Sequence, residues 1–337
     1  MSGGGRKARL GVIGAGALGY HHVRLLRELE DATLVGFHDA RAERASQVSA
    51  ELGVPAWDDA DALIEACDAL TIVVPTPAHF AVASRAVGRG RHVLIEKPIT
   101  ATLEEADALL ALARANGAIV QTGHVERFNR AIRAALPYVD RPRFLESDRL
   151  APFNPRGSDV AVVLDLMIHD IDLLLTLVKE GARDVAAVGI PVLTPFVDIA
   201  NARLTFQSGA VANVTASRVS RERMRKLRIF QPSGYLSLDL AAGTGEFYRM
   251  RGDVDLAALT KSPQPLEAFV ERVALEAPEG EPLRLEFRSF IDAVRGAAPV
   301  AVSGEDGREA LAVALRIVAE IERTRPALAS GVERARA

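Results

Sequence analysis

The sequence predicts an α/β chain in which a doubly wound parallel sheet is followed by an α+β region with a large, mostly antiparallel open sheet. Three observations carry this. Up to residue 125, short β-branched runs alternate with helical patterns, as strands joined by crossover helices do. A glycine-rich turn joins the first run to the first helical pattern. Beyond residue 125 the runs lengthen, alternate roughly in polarity, and are separated by hairpin signals.

In chain order, the expected strands of the first region are RLGVIG (9–14), TLVGFHD (33–39), ALTIVVP (69–75), HVLIEK (92–97) and AIVQTG (118–123). Helical patterns lie between them: ARAERASQVSAELG, HFAVASRAVGRG and TLEEADALLALARANG, the last closed by Asn116-Gly117 as a C-cap. In the second region ARLTFQSGAVANVTASRV turns at Ser208-Gly209, and LRIFQPSGYLSLDL turns at Pro232-Ser233-Gly234. Two helical patterns, PLRLEFRSFIDAVRGA and EDGREALAVALRIVAEIER, follow before a frayed tail. The pattern divides the chain into domains at 1–125 and 126–337, the second with its helices on one face of the sheet.

GVIGAGALGYHH sets Gly14, Gly16 and Gly19 directly after a strand and at the start of a helix. This is the context a dinucleotide fingerprint requires. Gly14 permits the tight turn, Gly16 lets backbone approach a pyrophosphate, and Gly19 allows close helix packing. The first helical turn, with Ala17 and Leu18, offers amide hydrogens and a positive dipole end to phosphate oxygens. Asp39 closes the second strand 20 residues after Gly19, where a carboxylate accepts hydrogen bonds from a ribose. The first domain therefore reads as a Rossmann domain, and the carboxylate favours NAD over NADP because it repels a 2′-phosphate. Arg41 and Arg44 follow closely and are the residues that would serve NADP instead.

Bulk properties narrow the function further. The 337 residues carry a net charge of −3, which gives no electrostatic reason to invoke nucleic acid or an anionic membrane. The first nine residues, MSGGGRKAR, lack the apolar core of a signal peptide, and no segment has the length of a membrane span. A cytoplasmic protein is the default expectation. Cys67 is the lone cysteine, and the seven histidines lack metal-ligand spacing, so neither a disulfide framework nor a metal site is expected.

Two stretches hold residues suited to chemistry. The third strand runs into PTPAH (75–79) and the fourth into EKP (96–98), placing Pro75, Thr76, His79, Glu96 and Lys97 at carboxyl ends of strands, where open parallel sheets bind ligands. Pro98 disfavours helix at Lys97 and holds it extended. The second stretch is LDLMIHDIDLLLTL (164–177). At about 100° per residue, Asp165, His169, Asp172 and Thr176 fall within about 60° of one another on a helix, while Asp170 points elsewhere. The rest of the circumference is apolar, so the helix is buried and its polar stripe faces either a solvated cleft or ion-pair partners.

Taken together, GVIGAGALG, Asp39, VVPTPAHF, EKP and the Asp-x-x-x-His of DLMIHD resemble the Gfo/Idh/MocA oxidoreductases over nearly the whole chain. The resemblance implies a Rossmann domain followed by an α/β domain whose open sheet supports homodimers or homotetramers. It implies a catalytic group of Lys97, Asp165 and His169, and hydride transfer to NAD from a sugar or sugar-nucleotide substrate. Within the family, TGHVERFN (122–129), Arg149-Leu150, VVLDLMIHDIDL and EPLRLEFRSF most resemble bacterial UDP-N-acetylglucosamine 3-dehydrogenases. An inositol or simple-sugar dehydrogenase and a non-catalytic NAD(H)-sensing regulator are the alternatives. Arg127, Asn129, Arg149 and Arg156 are the candidate substrate contacts, because arginine suits bidentate phosphate recognition.

Overall fold

The computed structural model describes residues 6–155, 157, 159–252 and 268–336, with side chains described to residue 324. The chain divides into two compact units. One takes the chain to Val125 together with Gly280–Leu311, and the other takes Glu126–Glu279 together with the chain from Ala312 onward.

The first unit is a parallel sheet of β1 (Ala8–Ile13), β2 (Ala32–His38), β3 (Ala69–Ile72), β4 (His92–Glu96) and β5 (Val120–Gly123), in the order β2-β1-β3-β4-β5. Helices α1 (Ala17–Arg27), α2 (Ala42–Leu52), α3 (Ala60–Ala66), α4 (His79–Val87) and α5 (Leu103–Ala115) connect the strands. The order reverses at β1, so the topological switch lies where β1 and β3 end side by side, the place where ligands bind in such sheets. Val73 N–H donates to Ile13 O at 2.8 Å there.

The sequence pattern assigns residues 280–311 to the second domain, but in the structure they belong to the first unit. Their helix α8 (Pro282–Val294) buries Phe287, Phe290 and Ile291 in one core with Leu10, Val12, Val23 and Leu94. Truncating a phenylalanine buried this way costs roughly 3–5 kcal/mol, a contribution too large for a helix that merely leans on a neighbour. Thr122 adds a backbone tie, its N–H donating to Val302 O at 3.0 Å. Such a return of the chain leaves no local mark in the sequence.

The second unit contains α6 (Arg130–Ala135), β6 (Phe144–Leu150), α7 (Ile168–Val178), β7 (Ala182–Ile190), β8 (Ile199–Phe206), β9 (Val211–Ser217), β10 (Met224–Gln231), β11 (Gly234–Asp239), β12 (Thr244–Met250) and β13 (Val270–Ala274). Helix α9 (Gly304–Arg336) continues into it from the first unit. Among the described residues the sheet runs β13-β12-β11-β10-β6-β9-β8-β7, antiparallel except where β6 pairs with β9. One face buries Leu145, Ala202, Val214, Ile229, Leu236 and Phe247 beneath α6 and α7. The other carries the polar residues and a stacked aromatic ladder of Phe144, Phe230, Tyr235 and Tyr248. Both hairpins expected from turn residues form, β8–β9 around Ser208-Gly209 and β10–β11 around Pro232-Ser233-Gly234.

No described helix is long and apolar enough to cross a membrane. Among the described residues, no group of three His, Cys, Asp or Glu side chains is placed to hold a metal ion.

Candidate active site

The glycine turn of the first unit has a distinct geometry at each glycine. Gly14 has φ +96°, and a Cβ there would lie 2.3 Å from Val73 O, so only glycine fits. A Cβ on Gly19 would lie 2.0 Å from Gly14 O, so α1 packs directly on the turn. Gly16, the N-cap of α1, meets nothing within 4 Å, which leaves the space a pyrophosphate needs at the loop. Ala17 and Leu18 stand in the first helical turn, whose N–H groups have no intrahelical acceptor. The residues present therefore fit a dinucleotide's phosphates.

Asp39 ties into the same loop. Its Oδ2 accepts from Ala15 N at 2.8 Å and its Oδ1 from Arg41 N at 2.9 Å. Burial works against the charged form, but these amides and the Arg41 guanidinium outweigh it and hold the carboxyl below the usual carboxylate range. An anion therefore stands at the end of β2. Arg44 donates from Nε to Ala15 O at 2.8 Å and from Nη1 to Gln47 at 2.9 Å, with its guanidinium over the Tyr20 ring.

The ends of β3 and β4 are joined by His79, which is 1% exposed and sits at the start of α4. Its Nδ1 lies 2.8 Å from Pro98 O and its Nε2 lies 2.9 Å from Val74 O. Burial lowers the imidazole pKa while the two carbonyls oppose that shift. His79 therefore lies between the two loops, its ring N–H donating to one of the two backbone carbonyls. Glu96 is likewise turned inward: Oε1 lies 3.1 Å from His22 Nε2, and Oε2 accepts from Lys97 N at 3.2 Å. Burial alone would raise its pKa, but the His22 contact and the adjacent Lys97 charge hold it down. Its carboxylate supports the EKP turn from behind. Lys97 follows, half-buried, with a cis peptide bond to Pro98.

In the second unit, Asp165 and His169 are both half-buried at the head of α7. The head is not a regular α-helix. Val163–Met167 forms a π turn, and α7 proper begins at Ile168. Regular 100° spacing therefore does not hold between Asp165 and His169. Such turns recur at functional positions in helices. The rest of the stripe is absorbed by ion pairs: Asp172 is fully buried and takes Arg127 at two oxygens, 2.8 Å from Nε and 2.5 Å from Nη2. Asp170, off the stripe, accepts from Ser147 Oγ at 2.8 Å and from Arg149 Nε at 2.5 Å.

These pairs reassign the expected substrate contacts. Arg149 is 3% exposed and bridges Asp170 to Glu126, donating from Nη1 to Glu126 Oε1 at 2.8 Å. Asn129 caps α6 through Ala131 N at 3.0 Å and donates from Nδ2 to Glu126 and to Leu240 O. Arg127 gives Nε and Nη2 to Asp172. The polar atoms of Arg149 and Asn129 are engaged within the protein, which leaves neither free for a substrate. Arg156 lies outside the described residues.

Comparison with known proteins fits both units. Residues 8–124 match the oxidoreductase family with an NAD-binding Rossmann fold, and residues 137–237 match the GFO/IDH/MocA C-terminal domain. A UDP-N-acetylglucosamine 3-dehydrogenase of Acidithiobacillus ferrooxidans is 40% identical over 316 residues, covering 93% of this chain and 97% of that one. The chain belongs to the Gfo/Idh/MocA oxidoreductase family. A solved structure of the A. ferrooxidans enzyme superposes with a TM-score of 0.86 at 39% identity, covering 95% of this chain and 99% of that one. A myo-inositol 2-dehydrogenase of Thermotoga maritima is 28% identical, covering 90% and 93% of the two chains.

Several residues that shape this Gfo/Idh/MocA site escaped the sequence reading. His22, buried in α1, bears on Glu96. Gly157, which lies against Asp165, and Arg218 and Asp198, which hold Gly157, carry no signal in the sequence. Arg218 reaches Gly157 from 61 residues away, and no local spacing marks the contact.

Proposed function

We propose that the protein is an NAD-dependent dehydrogenase that oxidises the 3-hydroxyl of a UDP-N-acetylglucosamine-type sugar nucleotide. The observation that carries this reading is the near-complete coverage of the A. ferrooxidans enzyme at 40% identity. The likeness to inositol dehydrogenases is lower, at 28% with the T. maritima enzyme.

When bound, the nicotinamide accepts the hydride. The chain's own residues do the rest. Gly14, Gly16 and Gly19, with the first-turn amides of Ala17 and Leu18, hold the pyrophosphate. Pro75 and Thr76, at the carboxyl end of β3, line the cofactor's path. Asp39 receives the adenosine ribose and disfavours a 2′-phosphate. Arg44 supports the preference for NAD, because its guanidinium is engaged with Ala15 O and Gln47 and stacked on Tyr20. His169 takes the hydroxyl proton, a role suited to imidazole near neutral pH. Asp165 orients the imidazole and stabilises its cation. Lys97 holds the reacting oxygen and stabilises developing alkoxide charge. We extend the proposal to a homodimer or homotetramer formed through the open sheet of the second unit, checked by light scattering.

The deciding experiment incubates purified protein with NAD and a panel of UDP-sugars, myo-inositol and scyllo-inositol, following NADH absorbance and product mass. A 3-oxo product from UDP-N-acetylglucosamine, drawn forward by a coupled aminotransferase, is expected. Turnover of an inositol instead would overturn the substrate. Tight NADH binding without turnover of any substrate, unaffected by Lys97→Ala, would overturn the enzyme itself.

A further inference from the structure

The carboxylate of Asp165 is pressed by a glycine from an irregular loop. Gly157 has φ +76°, and a Cβ on it would lie 2.6 Å from Asp165 Oδ2, 2.8 Å from Cγ and 3.1 Å from Oδ1. Its α-carbon therefore rests on the carboxylate, and any other residue would displace it.

Arg218, just past the end of β9, holds the loop. Its Nη1 donates to Gly157 O at 2.6 Å. The guanidinium is itself fixed: Nε donates to Asp198 Oδ1 at 2.8 Å, and Nη2 donates to Thr194 Oγ1 at 3.2 Å and Val197 O at 3.3 Å. Asp198 has no exposed surface, and its Oδ2 gathers the amides of Val192, Leu193 and Thr194 at 2.7, 2.7 and 2.9 Å. Val197 O also accepts from Val162 N at 2.8 Å, directly before the π turn that carries Asp165. One buried anchor thus fixes both the residue that touches the carboxylate and the backbone that presents it.

We propose that Arg218, anchored by Asp198, is a positioning residue for Asp165, and that Gly157 is the piece it clamps against the carboxylate. An arginine is required because its rigid fork reaches a carboxylate, a hydroxyl and two carbonyls at once, which a lysine point charge does not do. The anchor adds no group to the chemistry. It fixes the direction from which Asp165 meets His169, and so rests on the reading of those two residues as a proton-handling pair.

The test follows His169 directly. In histidine-labelled protein saturated with NAD, its ring resonance is assigned by loss in His169→Gln and titrated in wild type, Asp165→Asn, Arg218→Met, Gly157→Ala and the double variant Asp165→Asn/Arg218→Met. Asp165→Asn should move the His169 midpoint to lower pH, because the imidazolium loses its carboxylate. Arg218→Met and Gly157→Ala should move it the same way and lower kcat on the order of 10- to 100-fold, as small misplacements of reacting groups do, with KM changed little. The double variant should show no further movement than Asp165→Asn alone, since both act through one group. Gly157→Ala leaves every buried charge paired, so it reads the clamp even where Arg218→Met fails to fold. If Asp165→Asn moves His169 while Gly157→Ala leaves both midpoint and kcat at the wild-type values, the clamp is wrong and the pair stands. If Asp165→Asn leaves His169 unmoved, the pair is wrong and the clamp falls with it.

Discussion

In the first unit the nucleotide loop is positioned by backbone: Gly14 against Val73 O, Gly19 against Gly14 O, and the Ala15 amide on Asp39. In the second unit the helix of Asp165 and His169 is positioned by buried side-chain charge, with Arg127 on Asp172, Arg149 between Asp170 and Glu126, and Arg218 on Asp198. The two strategies differ in what they cost. A glycine turn needs only the absence of a side chain. A buried ion pair must offset several kcal/mol of desolvation per ion, and does so only when each charge keeps its partners. The first strategy tolerates changes around the turn, whereas the second is intolerant of losing one partner.

The largest effect that tests this contrast lies in the chemistry. His169→Ala should lower turnover by about 10²- to 10⁴-fold, the range for losing a general acid-base group, while the dissociation constant for NAD stays within about twofold, because the glycine loop is built without the helix of His169. Equilibrium dialysis and steady-state rates on the same preparation check both halves. A loss of NAD affinity matching the loss of rate would make His169 structural.

Next in size is the removal of one buried charge. Arg149→Leu takes the arginine from Asp170, leaves Glu126 with Asn129 and the part-exposed Arg225, and should destabilise by roughly 3–5 kcal/mol, read as a lower urea midpoint. Replacing the charges together, as in Arg149→Met/Asp170→Leu/Glu126→Gln, should recover much of that loss, because the penalty comes from uncompensated charge. A single variant no less stable than wild type would show that the cluster is solvated after all.

The same contrast explains what could be read from the sequence. The strands of the first unit, the three glycines and Asp39 are legible because their partners lie within one βαβ unit and each needs a particular residue type. Strand β6 was not singled out, and the reason is chemical. Its inward positions are Leu145, Ser147 and Arg149, so two of three residues facing the core are polar. They are tolerated because Asp170, 23 residues beyond Ser147, meets them. An arginine in such a strand reads as a substrate contact when its partner is invisible. The π turn at Val163–Met167 is equally silent, since nothing in VLDLM distinguishes i→i+5 hydrogen bonding from i→i+4. The return of α8 to the first unit is a long-range event of the same kind.

Two glycines sharpen the backbone side at smaller cost. Gly16→Ala meets open space, so the thermal midpoint should change little, whereas the dissociation constant for NAD should rise about tenfold, or about 1.4 kcal/mol, as the new methyl enters the phosphate's space. Gly19→Ala drives a Cβ to 2.0 Å from Gly14 O and should instead lower stability by about 1–3 kcal/mol. Calorimetry with and without NAD separates the two. Equal behaviour of both variants would mean that the glycines do not divide these roles.

The smallest expected effect concerns acid. The amide of Thr194, the guanidinium of Arg218 and the amide of Val192 hold Asp198 well below the usual carboxylate range, outweighing burial, which acts in the opposite sense. A carboxyl depressed in the folded state contributes stability that is fully present above its unfolded value, about 3.9, and is lost as pH falls through the lower folded value. Asp198→Asn removes that contribution and cannot titrate. The variant should therefore be less stable than wild type at pH 7 and pH 5, and the gap should narrow as pH falls below about 4, where unfolding of the wild type begins to take up the proton. Urea midpoints at pH 7, 5, 4 and 3 measure the gap. A gap that stays constant across the series would mean that the anchor holds its arginine by hydrogen-bond geometry, with the charge on Asp198 contributing nothing that folding must protect.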